Sequence, residues 1–243
     1  MQSYIVHLLR HGMTEGNQKG QYVGQIDLPI STDGINQIKD FCQKYDYESP
    51  KLFFASPLSR CSQTLKEIYG EGIDINIVEG LKECNFGIFE GKVATELTDD
   101  PDYIKWVQEG VTPPKGEDNK SFSERICIAF NDTIREILKA GVTESVICAH
   151  GGVIMTLLAV YGIPRRPMLD WMSNNARGFT IRVTPGIWMR SGMVEVLSEF
   201  PFGSNDEPDL SVNPVKQNNT LQQDFDDEES DLESTDVIWA DVE

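Results

Sequence analysis

The stretch "IVHLLRHGMTEGN", residues 5–17, is the starting point for predicting the fold. It opens with a largely apolar run from Ile5 to Leu9, which is typical of a strand buried in a parallel sheet. The run passes directly into an arginine, a histidine and a glycine. A buried strand that ends on Arg10 and His11 places two basic side chains where the chain leaves the core. The pattern therefore indicates an anion site at this strand end.

The same order of features occurs twice more, in "KLFFASPLSRCSQTLKEIYG" (residues 51–70) and "ESVICAHGGVIMTLLAVYG" (residues 144–162). Each has an apolar run, a short break and a helical pattern. Repeated strand–loop–helix units predict the α/β class, here a three-layer α/β/α sandwich with a mainly parallel central sheet. The looser stretch from Gly87 to Lys120, with a helix in "PDYIKWVQEG", is predicted to form a small helical cap over the strand ends.

Two local patterns give further predictions about elements. Ser121 and Glu124 in "SFSERICIAFNDTIREILKAG" predict a capping box at the start of a long helix. The segments "RGFTIRV" and "GMVEVLSEF" alternate as strands do, and the intervening "TPG" predicts that a turn joins them.

The charge of the chain is concentrated at its C-terminal end. The net charge is −18 over 243 residues, but the segment from Glu199 to Glu243 has 14 acidic residues and one base, so residues 1–198 carry only −5. We therefore predict a catalytic domain at residues 1–199 and an acidic tail at residues 200–243. This balance argues against nucleic acid and anionic membranes as partners, since both require basic surfaces.

The cysteines and the hydropathy pattern predict a cytoplasmic protein. Five widely spaced cysteines without a Cys-x-x-Cys pair indicate neither a disulfide framework nor a zinc site. No apolar stretch approaches the ~20 residues that span a bilayer, and no secretory signal precedes the first strand. We interpret Cys61, Cys84 and Cys148 as core residues rather than redox sensors. The sequence leaves a homo-oligomer open.

Basic side chains at three strand ends predict a phosphate site. Ligands bind at the carboxyl ends of parallel strands, so Arg10, His11, Arg60 and His150 should converge there. Two guanidinium groups match the oxygens of a phosphoryl group, and the helices that start after residues 11, 58 and 150 add N-terminal amides. Such a site needs neither a metal ion nor a cofactor.

Two histidines and one glutamate add chemistry to this site. A neutral imidazole is a nucleophile toward phosphorus, and a second one can donate to the equatorial oxygens. Glu83 lies in "EGLKECNFGIFEG", on a fourth loop that can reach the pocket. It is predicted to protonate the leaving oxygen and then to activate water.

At this point "LLRHGMTEGN" resembles the Arg-His-Gly-x-Thr-x-x-Asn signature of the histidine phosphatase superfamily, whose members include phosphoglycerate mutases and fructose-2,6-bisphosphatases. Further similar motifs follow in order, "LPISTDGINQ", "ASPLSRCSQT", "LKECNFGIFEG" and "CAHGGVI", over roughly residues 4–198. The resemblance implies that His11 is the phosphorylated nucleophile, that Arg10, Arg60 and His150 bind the phosphoryl group, and that Glu83 is the acid.

The resemblance also implies smaller contacts. Asn17 matches an amide that helps to bind the phosphate, Gly151 supplies a backbone N–H, and Gly24 lies in the first-loop extension that contacts substrate. Family members often carry Ser or Thr before that glycine, whereas this chain has Val23, which removes one hydroxyl contact.

Three functions remain open on these residues. The leading hypothesis is a phosphatase that hydrolyses a small phosphate monoester, with a small phosphorylated metabolite as its partner. The alternative is a cofactor-dependent phosphoglycerate mutase, whose long basic insertion grips a substrate carboxylate; here only 67 residues and few bases separate Glu83 from His150. The second alternative is a non-catalytic phosphate-binding or scaffold module.

Overall fold

The computed structural model describes residues 2–203. In this part of the chain the strands are β1 (Tyr4–Arg10), β2 (Tyr45–Asp46), β3 (Leu52–Ala55), β4 (Ile75–Ile77), β5 (Glu144–Ala149), β6 (Gly162–Ile163), β7 (Gly178–Val183), β8 (Val194–Phe200) and β9 (Phe202–Gly203). The α-helices are α1 (Glu15–Gln18), α2 (Thr32–Lys44), α3 (Ser59–Tyr69), α4 (Pro101–Glu109), α5 (Asn119–Ala140), α6 (Gly151–Tyr161) and α7 (Pro185–Ser191).

A seven-stranded mixed sheet forms the centre, in the order β4-β3-β5-β1-β7-β8-β6. The four strands from β4 to β1 are parallel to one another. Strand β7 pairs antiparallel with both β1 and β8, and β6 pairs parallel with β8, so β7 runs opposite to the other six strands. Strands β1 and β5 are adjacent and in register over six residues each, which places Arg10 beside Ala149. The predicted α/β fold with a mainly parallel sheet is confirmed.

Helices cover both faces of the sheet and make three layers. Leu8 and Ile147 pack in one cluster with residues of α5 and α6, whereas Leu9 and Cys148 pack in another with residues of α3. Successive side chains of a strand point to opposite faces, so a strand between two helical layers must be apolar at every position. This explains why the run before Arg10 does not alternate between apolar and polar residues.

His7 interrupts that run without reaching the site. Its Nδ1 lies 3.0 Å from Thr180 Oγ1 and its Nε2 lies 3.3 Å from Glu144 Oε1. The ring also stacks on Phe200, with 4.3 Å between centroids. Both ring nitrogens therefore have partners inside the fold, in agreement with the structural role that its place within the strand predicts.

The cap is held by aromatic side chains. Tyr22, in the loop after α1, contacts Phe86 and Trp106, and its hydroxyl lies 2.7 Å from that of Tyr103. Phe89 is buried and stacks on Trp106. Helix α4 is the α-helix predicted in "PDYIKWVQEG", and Gly110 ends it in the left-handed conformation (φ 67°). The rest of the cap before α5 is 3₁₀ turns and irregular chain.

The predicted capping box at Ser121 and Glu124 is wrong. Asp118 is the N-cap of α5, and its carboxylate accepts from the Ser121 backbone N–H at 2.9 Å and from its hydroxyl at 2.6 Å. Glu124 instead lies 3.8 Å from Lys120 Nζ, one turn earlier on the helix. Asp118 takes the Ser121 N–H that Glu124 would accept in a capping box. As the N-cap, Asp118 starts the helix at Asn119.

The predicted turn between β7 and β8 is also wrong, because helix α7 fills this connection. Pro185 occupies the first turn of the helix, where its missing N–H removes no hydrogen bond, and Gly192 ends it with φ 65°.

The predicted division of the chain at residue 199 stays a prediction. Strand β8 extends to the buried Phe200, and β9 pairs with β2 up to Gly203. The predicted acidic tail, from residue 204 onward, lies outside the described residues. Over residues 2–203, none of the helices combines the length and apolarity that crossing a bilayer requires.

Candidate active site

His11 follows β1, and its ring is fixed by the backbone. Its Nδ1 lies 2.8 Å from the carbonyl oxygen of Gly12, which can only accept, so Nδ1 carries the proton and Nε2 has the lone pair. Burial, followed by the charges of Arg60 and Arg10, holds the pKa of His11 well below its usual 6.5, although the bond to Gly12 opposes this shift. His11 is therefore neutral at physiological pH, which is the nucleophilic form.

His150 follows β5 and lies beside His11, with 5.2 Å between the ring centroids. Its Nδ1 lies 3.2 Å from Arg60 Nη2, and its Nε2 lies 2.7 Å from Ser56 Oγ. Because a guanidinium only donates, Nδ1 accepts and the proton sits on Nε2, toward Ser56. Burial and the neighbouring positive groups also hold the pKa of His150 well below its usual value.

Two guanidinium groups, one of them fully buried and the other partly exposed, supply the positive charge of the site. Arg60 is 0% exposed, and it donates to the carbonyls of Ile26 at 2.9 Å and Gly24 at 2.7 Å. Arg10 donates to the carbonyl of Ser173 at 2.6 Å. The Nε atoms of both arginines are buried without a hydrogen-bond partner in residues 2–203. Burial lowers the pKa of both groups, yet an arginine side chain stays charged.

Glu83 is the buried carboxyl group of the site. Its Oε2 accepts from the N–H of Gly152 at 2.9 Å, and its Oε1 accepts from the N–H of Cys84 at 3.0 Å. Burial raises its pKa, and this effect outweighs the two amide bonds and the charges of Arg10 and Arg60. Glu83 therefore keeps its proton to a higher pH than an ordinary glutamate does, as an acid catalyst requires.

Asn17 is linked to the backbone of His11 through Asn175. Its Oδ1 accepts from the backbone N–H of Thr14 at 3.1 Å and from Asn175 Nδ2 at 3.4 Å. Asn175 Nδ2 also lies 2.9 Å from the carbonyl oxygen of His11. The helix predicted to start after residue 11 is α1, which begins at Glu15 and has four residues. The role of Asn17 in phosphate binding stays a prediction.

Gly24 and Gly151 lie beside the two arginines. The N–H of Gly24 donates to Glu90 at 3.1 Å and its carbonyl accepts from Arg60, so both backbone groups have partners within the protein. A Cβ atom at Gly151 would lie 3.4 Å from Arg10 Cζ, which places the start of α6 against that guanidinium. Substrate contacts by these glycines stay predictions.

The chain matches a model of a known protein family over most of its length. The model of the histidine phosphatase superfamily (branch 1) matches residues 6–193. The chain belongs to this superfamily. The match extends from the strand before His11 to the connection between α7 and β8, and so includes every residue predicted for the site.

The relatives of this histidine phosphatase superfamily member include mutases and phosphatases. A probable phosphoglycerate mutase of Enterobacter sp. (strain 638) is 26% identical over 196 residues, which cover 78% of this chain and 89% of the relative. A broad-specificity phosphatase of Saccharomyces cerevisiae is 28% identical over 158 residues, which cover 62% and 67%. The crystal structure of an alpha-ribazole phosphatase from Shigella flexneri shares the fold, with a TM-score of 0.66, 24% identity and coverage of 80% and 95%.

Sequence reasoning about the superfamily site missed three residues. Ser56 lies between β3 and α3, and its hydroxyl accepts the Nε2 proton of His150. Gly152 is the second residue of α6, and its N–H donates to Glu83. Arg125, on α5, donates to the carbonyls of Lys82 at 3.0 Å and Glu83 at 3.4 Å. The quoted motifs contain the first two, but only contacts reveal their partners.

The cysteines near the site are buried. Cys61 Sγ lies 3.6 Å from the carbonyl oxygen of Ala149. Burial raises the pKa of Cys84 to about 12 and that of Cys148 well above its usual range. Cys84 and Cys148 are therefore thiols rather than reactive thiolates, in line with their interpretation as core residues.

Gly152 offers a test of how closely Glu83 must be held. A Cβ atom at this position would lie 2.5 Å from Glu83 Oε1, so Gly152→Ala should displace the carboxyl group while the fold survives. A displacement of about 1 Å can lower a rate about 100-fold. We expect such a loss in kcat/KM with a phosphate monoester. Gly72→Ala is the control, since its Cβ meets nothing within 4 Å; equal activity of both variants would contradict this account.

The histidines predict how stability depends on pH. The pKa values of His7, His11 and His150 are all lowered in the folded chain, so the unfolded chain binds more protons below pH 6.5. The free energy of unfolding should fall by about 1–3 kcal/mol from pH 7.5 to pH 5.5. The raised pKa of Glu83 offsets part of this loss. Urea unfolding measures it, and a stability that is constant or rises over this interval would contradict the prediction.

Proposed function

We propose that this protein is a metal-independent phosphatase that hydrolyses small phosphate monoesters through a phosphohistidine on His11. The observation that carries the proposal is the tautomer of His11, whose Nδ1 is bound to Gly12 so that Nε2 keeps its lone pair. This nitrogen belongs to a buried site with two guanidinium groups, which can balance the charge of a phosphoryl group. A scaffold protein has no need of a neutral, oriented imidazole.

In the first step the lone pair of His11 Nε2 attacks phosphorus, and the bond from phosphorus to the ester oxygen breaks. The electron pair of that bond goes to the leaving oxygen, which takes the proton of Glu83. Arg10 and Arg60 stabilise the charge on the equatorial oxygens. The first step leaves a phosphohistidine, a free alcohol and an ionised Glu83.

In the second step water attacks the phosphohistidine on the side that the alcohol has left. The Glu83 carboxylate takes a proton from this water, and the N–P bond breaks with its electron pair returning to Nε2. Inorganic phosphate leaves, and both His11 and Glu83 regain their first states. The arginines supply positive charge that a metal ion would otherwise supply, so a chelator should leave the rate unchanged.

The surroundings of Arg125 favour hydrolysis over a mutase reaction. A mutase needs a free base to grip the carboxylate of phosphoglycerate. Arg125 forms a two-point ion pair with Glu117, at 2.9 Å and 2.7 Å, and its remaining donors go to backbone carbonyls. Arg135 and Lys120 lie exposed on α5, paired with neighbours on the same helix. Arg125 is therefore poorly suited to bind a substrate carboxylate.

We further propose a small phosphorylated metabolite as the physiological partner and the cytoplasm as the location. All five cysteines of the chain are free, and three of them are buried. Thiols of this kind persist in a reducing compartment.

The first prediction of this proposal concerns His11. With p-nitrophenyl phosphate, His11→Ala should lower the rate of phosphate release by about 1,000-fold or more, because the nucleophile is removed. Quenched wild-type enzyme should carry an acid-labile, alkali-stable phosphoryl group that the variant lacks. Equal release by both proteins would favour a non-catalytic module. A parallel assay that converts 3-phosphoglycerate to 2-phosphoglycerate faster than it releases phosphate would favour the mutase.

The second prediction concerns Glu83. In Glu83→Gln, transfer to His11 from an alkyl phosphate should slow about 100- to 10,000-fold, because the leaving alkoxide needs a proton. Transfer from p-nitrophenyl phosphate should change much less, because nitrophenolate leaves as an anion. Rapid-quench kinetics should then show a burst of nitrophenolate before slow turnover. Glu79→Gln is the control, since this glutamate lies exposed on the same loop. Equal slowing with both substrates would exclude Glu83 as the acid.

A further inference from the structure

Glu90 binds an unusual number of backbone amides. Its Oε1 accepts from the N–H groups of Gln25 at 2.8 Å and Phe86 at 3.1 Å. Its Oε2 accepts from the N–H groups of Gly24 at 3.1 Å and Ile26 at 3.2 Å. One carboxylate therefore joins three consecutive residues of the first-loop extension to the loop that follows Glu83.

The amides that Glu90 binds belong to the segment that holds Arg60. The guanidinium of Arg60 donates to the carbonyls of Gly24 and Ile26, which are two of the three residues fixed by Glu90. The side chain of the third, Gln25, donates to the carbonyl oxygen of Glu83 at 3.1 Å. Glu90 is thus linked to Arg60 and to Glu83 through one intervening residue in each case, and it contacts neither directly.

We propose that Glu90 is a positioning residue, which sets the location of Arg60, and through it the electrostatics of the two histidines, by clamping residues 24–26 to the Glu83 loop. The inference rests on the proposed function and deepens it. The Glu90 carboxylate turns three backbone N–H groups inward, so the carbonyls of Gly24 and Ile26 are presented to Arg60. Arg60 in turn contacts His150.

A carboxylate is the side chain that this arrangement requires. Each of its oxygens accepts two N–H groups, and a carboxylate accepts at both oxygens without donating. In Glu90→Gln one oxygen becomes an NH₂ group, which opposes two amide donors whichever way the side chain is turned. At least two of the four bonds are lost, and like donors then face each other. Glu90→Asp keeps both acceptors but withdraws them by one methylene group.

The test compares Glu90→Gln, Glu90→Asp and the control Glu109→Gln, a glutamate exposed on α4 of the same cap. Three quantities are measured on each folded protein. They are kcat/KM with p-nitrophenyl phosphate, the pH below which kcat/KM declines (the acid limb of the pH profile), and the Kd of inorganic phosphate by calorimetry. For Glu90→Gln we expect kcat/KM to fall and the Kd to rise by about 10- to 100-fold, by analogy with residues that orient the ligands of a metal ion.

The acid limb should also move to higher pH in Glu90→Asp, which keeps the negative charge that acts on Arg60. The charge of Arg60 lowers the pKa of His11, so withdrawing Arg60 raises that pKa, and His11 is protonated earlier as the pH falls. Glu90→Asp should restore part of the wild-type phosphate affinity. Glu109→Gln should match the wild type in all three quantities.

The outcomes separate this inference from the proposed function. If wild-type protein hydrolyses nothing, the proposed function fails, and the Kd of phosphate still decides the role of Glu90. If Glu90→Gln only lowers the melting temperature, with kcat/KM, acid limb and Kd unchanged, Glu90 is merely structural and the inference is overturned. If Glu90→Gln does not fold, Glu90→Asp decides by the same criteria, because wild-type values in it would also overturn the inference.

Discussion

The site depends on two guanidinium ions, one of them fully buried, that are held beside two buried imidazoles. Removing a charged group from water costs several kcal/mol unless nearby groups compensate. The fold compensates Arg10 and Arg60 in part with backbone carbonyls and with Glu83. The two Nε atoms keep no partner within residues 2–203. In the proposed function a bound dianion would complete this arrangement. Burial, together with the positive charges, holds the pKa of both histidines well below the usual value.

The parallel half of the sheet brings these charged residues together at one edge. Strands β1, β3 and β5 are neighbours, so the residues that follow them reach one edge without long loops. The apolar strands are held between helices on both faces and fix the backbone on which Arg10 and His150 are mounted. Rigid mounting matters because a pre-oriented site stabilises a transition state without reorganising at the moment of reaction.

The sequence predicted the elements that carry strong local patterns. The three strand–loop–helix units, helix α4 and the convergence of Arg10, His11, Arg60 and His150 follow from apolar runs and from the rule that parallel strands bind ligands at their carboxyl ends. The local errors arose where two caps competed or where a connection was ambiguous: Asp118 displaced Ser121 as the N-cap, and α7 replaced a turn.

The supporting contacts of the site were beyond the reach of sequence reasoning for a different reason. Ser56, Gly152 and Glu90 act through partners that lie 94, 69 and up to 66 residues away. No local period or spacing encodes such pairs. The identities of the reacting groups can thus be predicted from short motifs, whereas their orientation depends on long-range hydrogen bonds that only the folded chain defines.

The central claim is that His11 Nε2 attacks a phosphoryl group held by the two arginines. A crystal structure of the wild-type protein with orthovanadate, which mimics the five-coordinate phosphorus of the transition state, tests this most directly. The account predicts vanadium bonded to His11 Nε2 at an apical position, with equatorial oxygens at Arg10 and Arg60 and the opposite apical oxygen near Glu83. Vanadate bound in the pocket with water in place of His11 as the apical ligand, or bound away from these arginines, would contradict it.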